Sequence, residues 1–139
     1  MDWVLDSSLA LALALPDEMS NKADHFLAQI SKKDLLWVPA LWWYEVSNAI
    51  TTAHRRQRLA EVDRMHLVEL YGRLPIQTDN NLDTSAIWRF HVLAEQYTLS
   101  AYDAAYLDLA RRKGIGLATL DRHLIKAAQR AGIKVFVSK

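Results

Sequence analysis

The sequence contains no cysteine, so disulfides and Cys-based zinc sites are excluded. A reducing compartment is compatible with that usage. No long hydrophobic run is present either. The apolar stretch 9–15 is far too short to cross a bilayer, which takes about 20 apolar residues. It also makes a poor secretory leader: Asp2 and Asp6 precede it where basic residues belong, and Pro16-Asp17-Glu18 follows it in place of small residues. Charge of one sign is missing too. The 17 Lys and Arg are nearly matched by 16 Asp and Glu, for a net +1. That argues against a strongly basic coat for nucleic acid and leaves room for a local basic patch. Repeats, low-complexity tracts and linkers are absent. These absences together lead us to expect a soluble cytoplasmic protein with no membrane contact.

What is present suffices for a core. The 139 residues are 51% hydrophobic and 24% charged, which fits one compact domain over 1–139. The chain opens on Trp3-Val4-Leu5-Asp6-Ser7-Ser8. This reads as a short buried strand whose carboxyl end delivers Asp6 to a crevice, where ligands of open α/β sheets bind. Residues 9–15 predict a short helix, with Ser7 or Ser8 as N-cap and Pro16 as stop. Helical spacing predicts further helices over 21–33, 40–58, 60–72, 84–97, 100–113 and 121–131. In the helix over 84–97, Ile87, Trp88, Val92 and Leu93 are expected to face inward. Short β-prone runs at 34–38, 75–77, 116–120 and 134–137 predict the remaining strands. Strands alternating with helices predict an α/β fold, with a parallel sheet of four to five strands sandwiched between helices.

Three more acids recur in settings like that of Asp6: Glu45, Asp103 and Asp121. Each also has a plain structural reading. Asp6 is a possible turn former. Glu45 lies on a stripe with Leu41, Asn48 and Thr52 that reads equally as a solvated helix face. Ser100-x-x-Asp103 is close to a capping box, and Asp121 is well placed to N-cap the last helix. As a set the four are more telling. Hard divalent ions such as Mg²⁺ or Mn²⁺ prefer oxygen ligands, and the loop edge of a parallel sheet gathers such side chains. Without metal, clustered acids raise one another's pKa values.

The ordered motifs Val4-Leu5-Asp6-Ser7-Ser8, Tyr44-Glu45-Val46-Ser47-Asn48-Ala49, Tyr102-Asp103-Ala104-Ala105-Tyr106 and Ala118-Thr119-Leu120-Asp121 resemble a PIN domain. The similarity is strongest to toxin ribonucleases of the VapC type and runs essentially end to end. It implies a Mg²⁺- or Mn²⁺-dependent endoribonuclease, the toxin of a toxin–antitoxin pair. In this likeness Asp6, Glu45, Asp103 and Asp121 are both the catalytic and the metal-binding acids. Ser8, Asn48 and Thr119 are supporting polar groups. Products with 5′-phosphate and 3′-hydroxyl ends, a cognate antitoxin that occludes the site and a homodimer are implied as well. The basic runs containing Arg55, Arg56 and Arg58, and Arg111 and Arg112, are candidate RNA contacts. Cations near helix C-termini are equally ordinary.

The five histidines, His25, His54, His66, His91 and His123, show no metal-ligand spacing. Most of the five tryptophans are expected in the core. Trp42 and Trp43 are adjacent on one helix, so they point different ways and one is free for an interface. Two rival functions remain. A non-catalytic PIN-like RNA- or protein-binding module would keep the fold without turnover. An aspartyl-phosphate enzyme would use Asp6 as nucleophile, but it would want a second Asp where Ser8 stands.

Overall fold

The computed structural model describes residues 1–14 and 20–137. The elements are β1 (Trp3–Leu5), α1 (Ser7–Ala12), α2 (Ser20–Gln29), β2 (Leu36–Pro39), α3 (Leu41–Arg55), α4 (Glu61–Arg73), β3 (Ile76–Asp79), α5 (Thr84–Tyr97), α6 (Ala101–Lys113), β4 (Gly116–Ala118) and α7 (Arg122–Arg130). The four strands form one parallel sheet in the order β3-β2-β1-β4. This is the expected α/β class. The run 134–137 contributes only an isolated parallel bridge, Leu117 to Val135, beside β4, not a full fifth strand. The stop of the first helix at Pro16 falls outside the described residues.

β1 is central and wholly buried, which is why it reads as three apolar residues with no alternation. Gly116 lies opposite Trp3 in the β1–β4 pair. A Cβ there would stand 2.5 Å from the Trp3 ring, so the close approach of indole and backbone requires glycine. Trp3, Phe26 and Phe136 meet edge to face on the same side of the core. α6 runs through the middle of the molecule, and Ala104 to Ala110 is continuously buried. It ends at Gly114 in the left-handed conformation, as the sequence suggests.

Three local expectations are corrected. Neither Ser7 nor Ser8 caps α1; Asp6 occupies the N-cap position, and its side chain makes no capping bond. In α5, Leu93 is inward, but Ile87 (71% exposed), Trp88 (68%) and Val92 (40%) face out. The buried stripe is instead Ala86, Phe90, Leu93, Ala94 and Tyr97, against the core and α6. α5 is apolar on more than one face, and the packing of α6 selects among them. Lastly, only Trp3 and Trp42 are core tryptophans. Trp37 is half-buried with the Lys113 ammonium over its ring at 3.5 Å, while Trp43 and Trp88 are exposed. Trp42 and Trp43 do diverge as expected, and the Trp43 indole N–H donates to Thr78 Oγ1 at 2.9 Å.

Candidate active site

All four strands point the same way, so their carboxyl ends share one edge. β1 delivers Asp6 there and β4 delivers Thr119 and Asp121. α3 leaves the end of β2 with Glu45 in its second turn, and α6 starts with Asp103 in its first.

Asp6 is the anchor. It is only 4% exposed. Its Oδ2 accepts hydrogen bonds from Ser8 Oγ and Thr119 Oγ1, each at 2.6 Å. The two hydroxyls stand 3.3 Å apart. Each is fixed in turn by a backbone N–H: Leu120 donates to Ser8 Oγ and Asp121 to Thr119 Oγ1, both at 3.0 Å. A buried carboxylate is costly unless hydrogen-bonded, and this chain of donors spans β1, α1 and the end of β4. Burial raises the Asp6 pKa, the hydroxyls oppose that, and the charge of Asp121 pushes it further up.

Glu45 is half-buried, and Tyr106 donates its phenol O–H to Glu45 Oε1. Its pKa is raised first by burial, then, against the Tyr106 bond, by the charges of Asp6 and Asp103. Asp103 is raised first by burial, then by Asp121 and Asp6; the nearby His123 acts in the opposite direction. Charge therefore links Asp6 with Asp121, Glu45 with Asp6 and Asp103, and Asp103 with Asp121 and Asp6.

The structural readings of two acids are also realised. Asp121 caps α7, accepting from the Leu124 N–H at 3.0 Å. Asp103 donates its N–H to Ser100 Oγ at 3.1 Å, the first half of a capping box. Asn48 is exposed and makes no side-chain hydrogen bond among the described residues.

The basic runs sit apart. Arg55 and Arg111 lie at the far ends of α3 and α6, ten and eight residues from Glu45 and Asp103, or roughly 15 and 12 Å along the helices. Arg55, Arg56, Arg58 and Arg111 are exposed. Arg112 is committed elsewhere: its guanidinium binds Asp79 at 2.5 Å and Asp108 at 2.7 Å. One residue without an assigned role emerges here, Tyr106, whose phenol donates to Glu45. Tyr106 carries a local signal, since it falls one turn after Asp103.

The donor set is one of hard oxygens, suited to Mg²⁺ or Mn²⁺ rather than to a soft metal. Among the described residues no three His, Asp or Glu side chains are already grouped so as to hold an ion.

The family description of the PIN domain matches residues 3–130. The chain belongs to the PIN-domain family. Within that family it is of the VapC type. It is 31% identical to Ribonuclease VapC3 of Pyrobaculum aerophilum over 128 residues, covering 89% of this chain and 92% of that protein. Two solved structures share the PIN fold. The crystal structure of PAE2754 from Pyrobaculum aerophilum superposes with a TM-score of 0.70 at 24% identity, covering 97% of this chain and 83% of that one. VapBC2 from Rickettsia felis, crystallised with a DNA fragment from its promoter, gives 0.69 at 14% identity, with both chains covered fully. No helix among the described residues of this PIN domain is long and apolar enough to cross a membrane.

Proposed function

We propose that this PIN domain is a metal-dependent endoribonuclease acting as the toxin of a toxin–antitoxin pair. The observation that carries the reading is that Asp6, Glu45, Asp103 and Asp121 stand at the carboxyl-end edge of one parallel sheet, where neighbouring acid charges help raise the pKa values of Asp6, Glu45 and Asp103. Asp6, Glu45 and Asp103 would hold Mg²⁺ or Mn²⁺, with Asp121 completing the set. When bound, such an ion lowers the pKa of a water and offsets charge on the leaving oxygen.

The chain's own groups prepare that site. Ser8 and Thr119 aim Asp6 and favour its charged form against the burial that raises its pKa. Tyr106 does the same for Glu45. Asp121 also caps α7 through one carboxylate oxygen. Arg55, Arg56, Arg58 and Arg111 remain available for RNA phosphates beyond the acids, whereas Arg112 has a structural use.

The antitoxin partner is supported by the toxin–antitoxin complex from Klebsiella pneumoniae, which shares this fold at a TM-score of 0.62. Two apolar faces lie open for an antitoxin or a second copy: Val62, Met65 and Val68 on α4, and Ile87, Trp88 and Val92 on α5.

The test is incubation of RNA with purified protein in Mg²⁺, Mn²⁺ or chelator, with the cut ends mapped. Metal-dependent cuts leaving 5′-phosphates, abolished in Asp103→Asn while the fold survives, are expected. Metal-dependent activity that persists undiminished in Asp103→Asn would instead mark a contaminating nuclease and defeat the reading.

A further inference from the structure

A cavity of about 260 Å³ lies between the ends of β2 and β3 and helices α5 and α6. We propose that it seats one unstacked base of the single-stranded RNA whose backbone meets the acids. This deepens the ribonuclease reading and rests on it.

The first ground is position. Leu41 lines the cavity and stands one helical turn before Glu45; Tyr102 lines it and immediately precedes Asp103. A strand held at the acids therefore passes the cavity mouth within a nucleotide or so. Size is the second ground. The volume sits just under the range of small-molecule clefts, roughly 300–1,000 Å³, so it holds a single planar ring rather than a larger group.

Chemistry is the third ground. Pro39, Leu41, Phe90 and Ala105 make the walls apolar. The polar wall is Asp79 with Arg112, and they bind each other. Arg112 is matched a second time by Asp108. No spare positive charge is left to attract a phosphate, and the walls are almost wholly apolar. An uncharged, flat ring stacked through its face suits such walls. At the mouth, Tyr102 (69% exposed) and Leu82 (58%) leave apolar surface open to solvent. Single-stranded RNA is read by stacking splayed bases on aromatic rings and guanidinium planes. An RNA rather than a protein occupant is favoured because Leu41 and Tyr102 carry the cavity lining onto the same helix starts that hold Glu45 and Asp103.

The test is equilibrium binding of a short unstructured RNA carrying one 2-aminopurine, scanned along the strand, with Ca²⁺ in place of Mg²⁺ and the RNA checked intact afterwards. Wild type is expected to change the fluorescence at one position of the scan. Ala101→Phe, which fills the cavity from its rim, and Tyr102→Ala, which removes the stacking face, should each weaken binding about tenfold. Should Ala101→Phe fail to fold, Tyr102→Ala, at an exposed position, carries the comparison. Absence of a fluorescence change in wild type, or variants that bind as wild type does, overturns the proposal. So does a shift of oligomeric state in sedimentation with RNA affinity unchanged, because the cavity then receives a side chain of a second copy. Adding Mg²⁺ to the same RNA tests cleavage separately: binding without cleavage sinks the ribonuclease reading and leaves the base seat standing.

Discussion

Thr119 Oγ1 donates to Asp6 Oδ2 at 2.6 Å, across 113 residues of chain. The bond ties the end of β4 to the end of β1, and with Ser8 it makes a buried carboxylate tolerable.

Thr119→Val keeps the shape and removes the donor. A buried acceptor left short of a partner costs about 1–3 kcal/mol, so urea unfolding should show a loss of that size. Metal affinity should fall with it. A variant as stable as wild type would mean that Ser8 alone satisfies Asp6.

Tyr106 is buried, and burial foremost, with the charge of Asp6 and its bond to Glu45, holds its phenol protonated far above neutrality. It therefore donates to Glu45 throughout the working range. Tyr106→Phe should lower cleavage about tenfold, the usual scale for losing a group that orients a ligand residue. Circular dichroism should be unchanged. Unaltered cleavage would show that Glu45 needs no orienting bond.

Acidity should move stability in two directions. Asp6, Glu45 and Asp103 have pKa values raised above the ordinary carboxylate value, each chiefly by burial. They bind protons more tightly folded than unfolded. The metal-free protein should therefore gain stability as pH falls from neutrality through those raised values, a gain complete below the ordinary value of about 4. Asp34 and Asp83 are lowered, Asp34 first by the N-terminal ammonium and Asp83 first by the Ser85 hydroxyl. Their contribution is present above the ordinary value and is lost as pH falls through their lowered ones. Thermal melts in chelator should peak in weak acid, and saturating Mn²⁺ should flatten the upper limb. A melting temperature that only falls on acidification contradicts the clustering.

The parts of this architecture that are written locally were legible. An apolar run stopped by Asp6, the Ser100 cap and Gly114 after α6 are each signals within a few residues. The four acids stand in the sequence as an ordered set of such local signals, and their shared role is the proposal. The rest depends on tertiary neighbours. α5 carries apolar residues on several faces, so Ile87 and Trp88 could not be assigned outward before α6 was in place. Arg112 reads as a free cation until Asp79, 33 residues away, is found against it. The bond from Tyr106 to Glu45 crosses 61 residues. The run 134–137 looks like a strand, yet only Val135 finds a bridge.

Gly116 offers a check on the sheet itself. Gly116→Ala would drive a methyl into the Trp3 ring. Overpacking of this kind costs about 1–3 kcal/mol, readable as a lower urea midpoint with unchanged slope. No loss would mean that Trp3 is free to move aside.

The central claim is that four distant carboxylates act as one seat for a hard cation, and Mn²⁺ binding followed by electron paramagnetic resonance tests it most directly. Wild type should bind. Asp6→Asn, Glu45→Gln, Asp103→Asn and Asp121→Asn should each weaken binding about tenfold or more, while Asp24→Asn, on the exposed side of α2, should not. Affinities for all five variants equal to wild type, or no binding by wild type, would contradict the account.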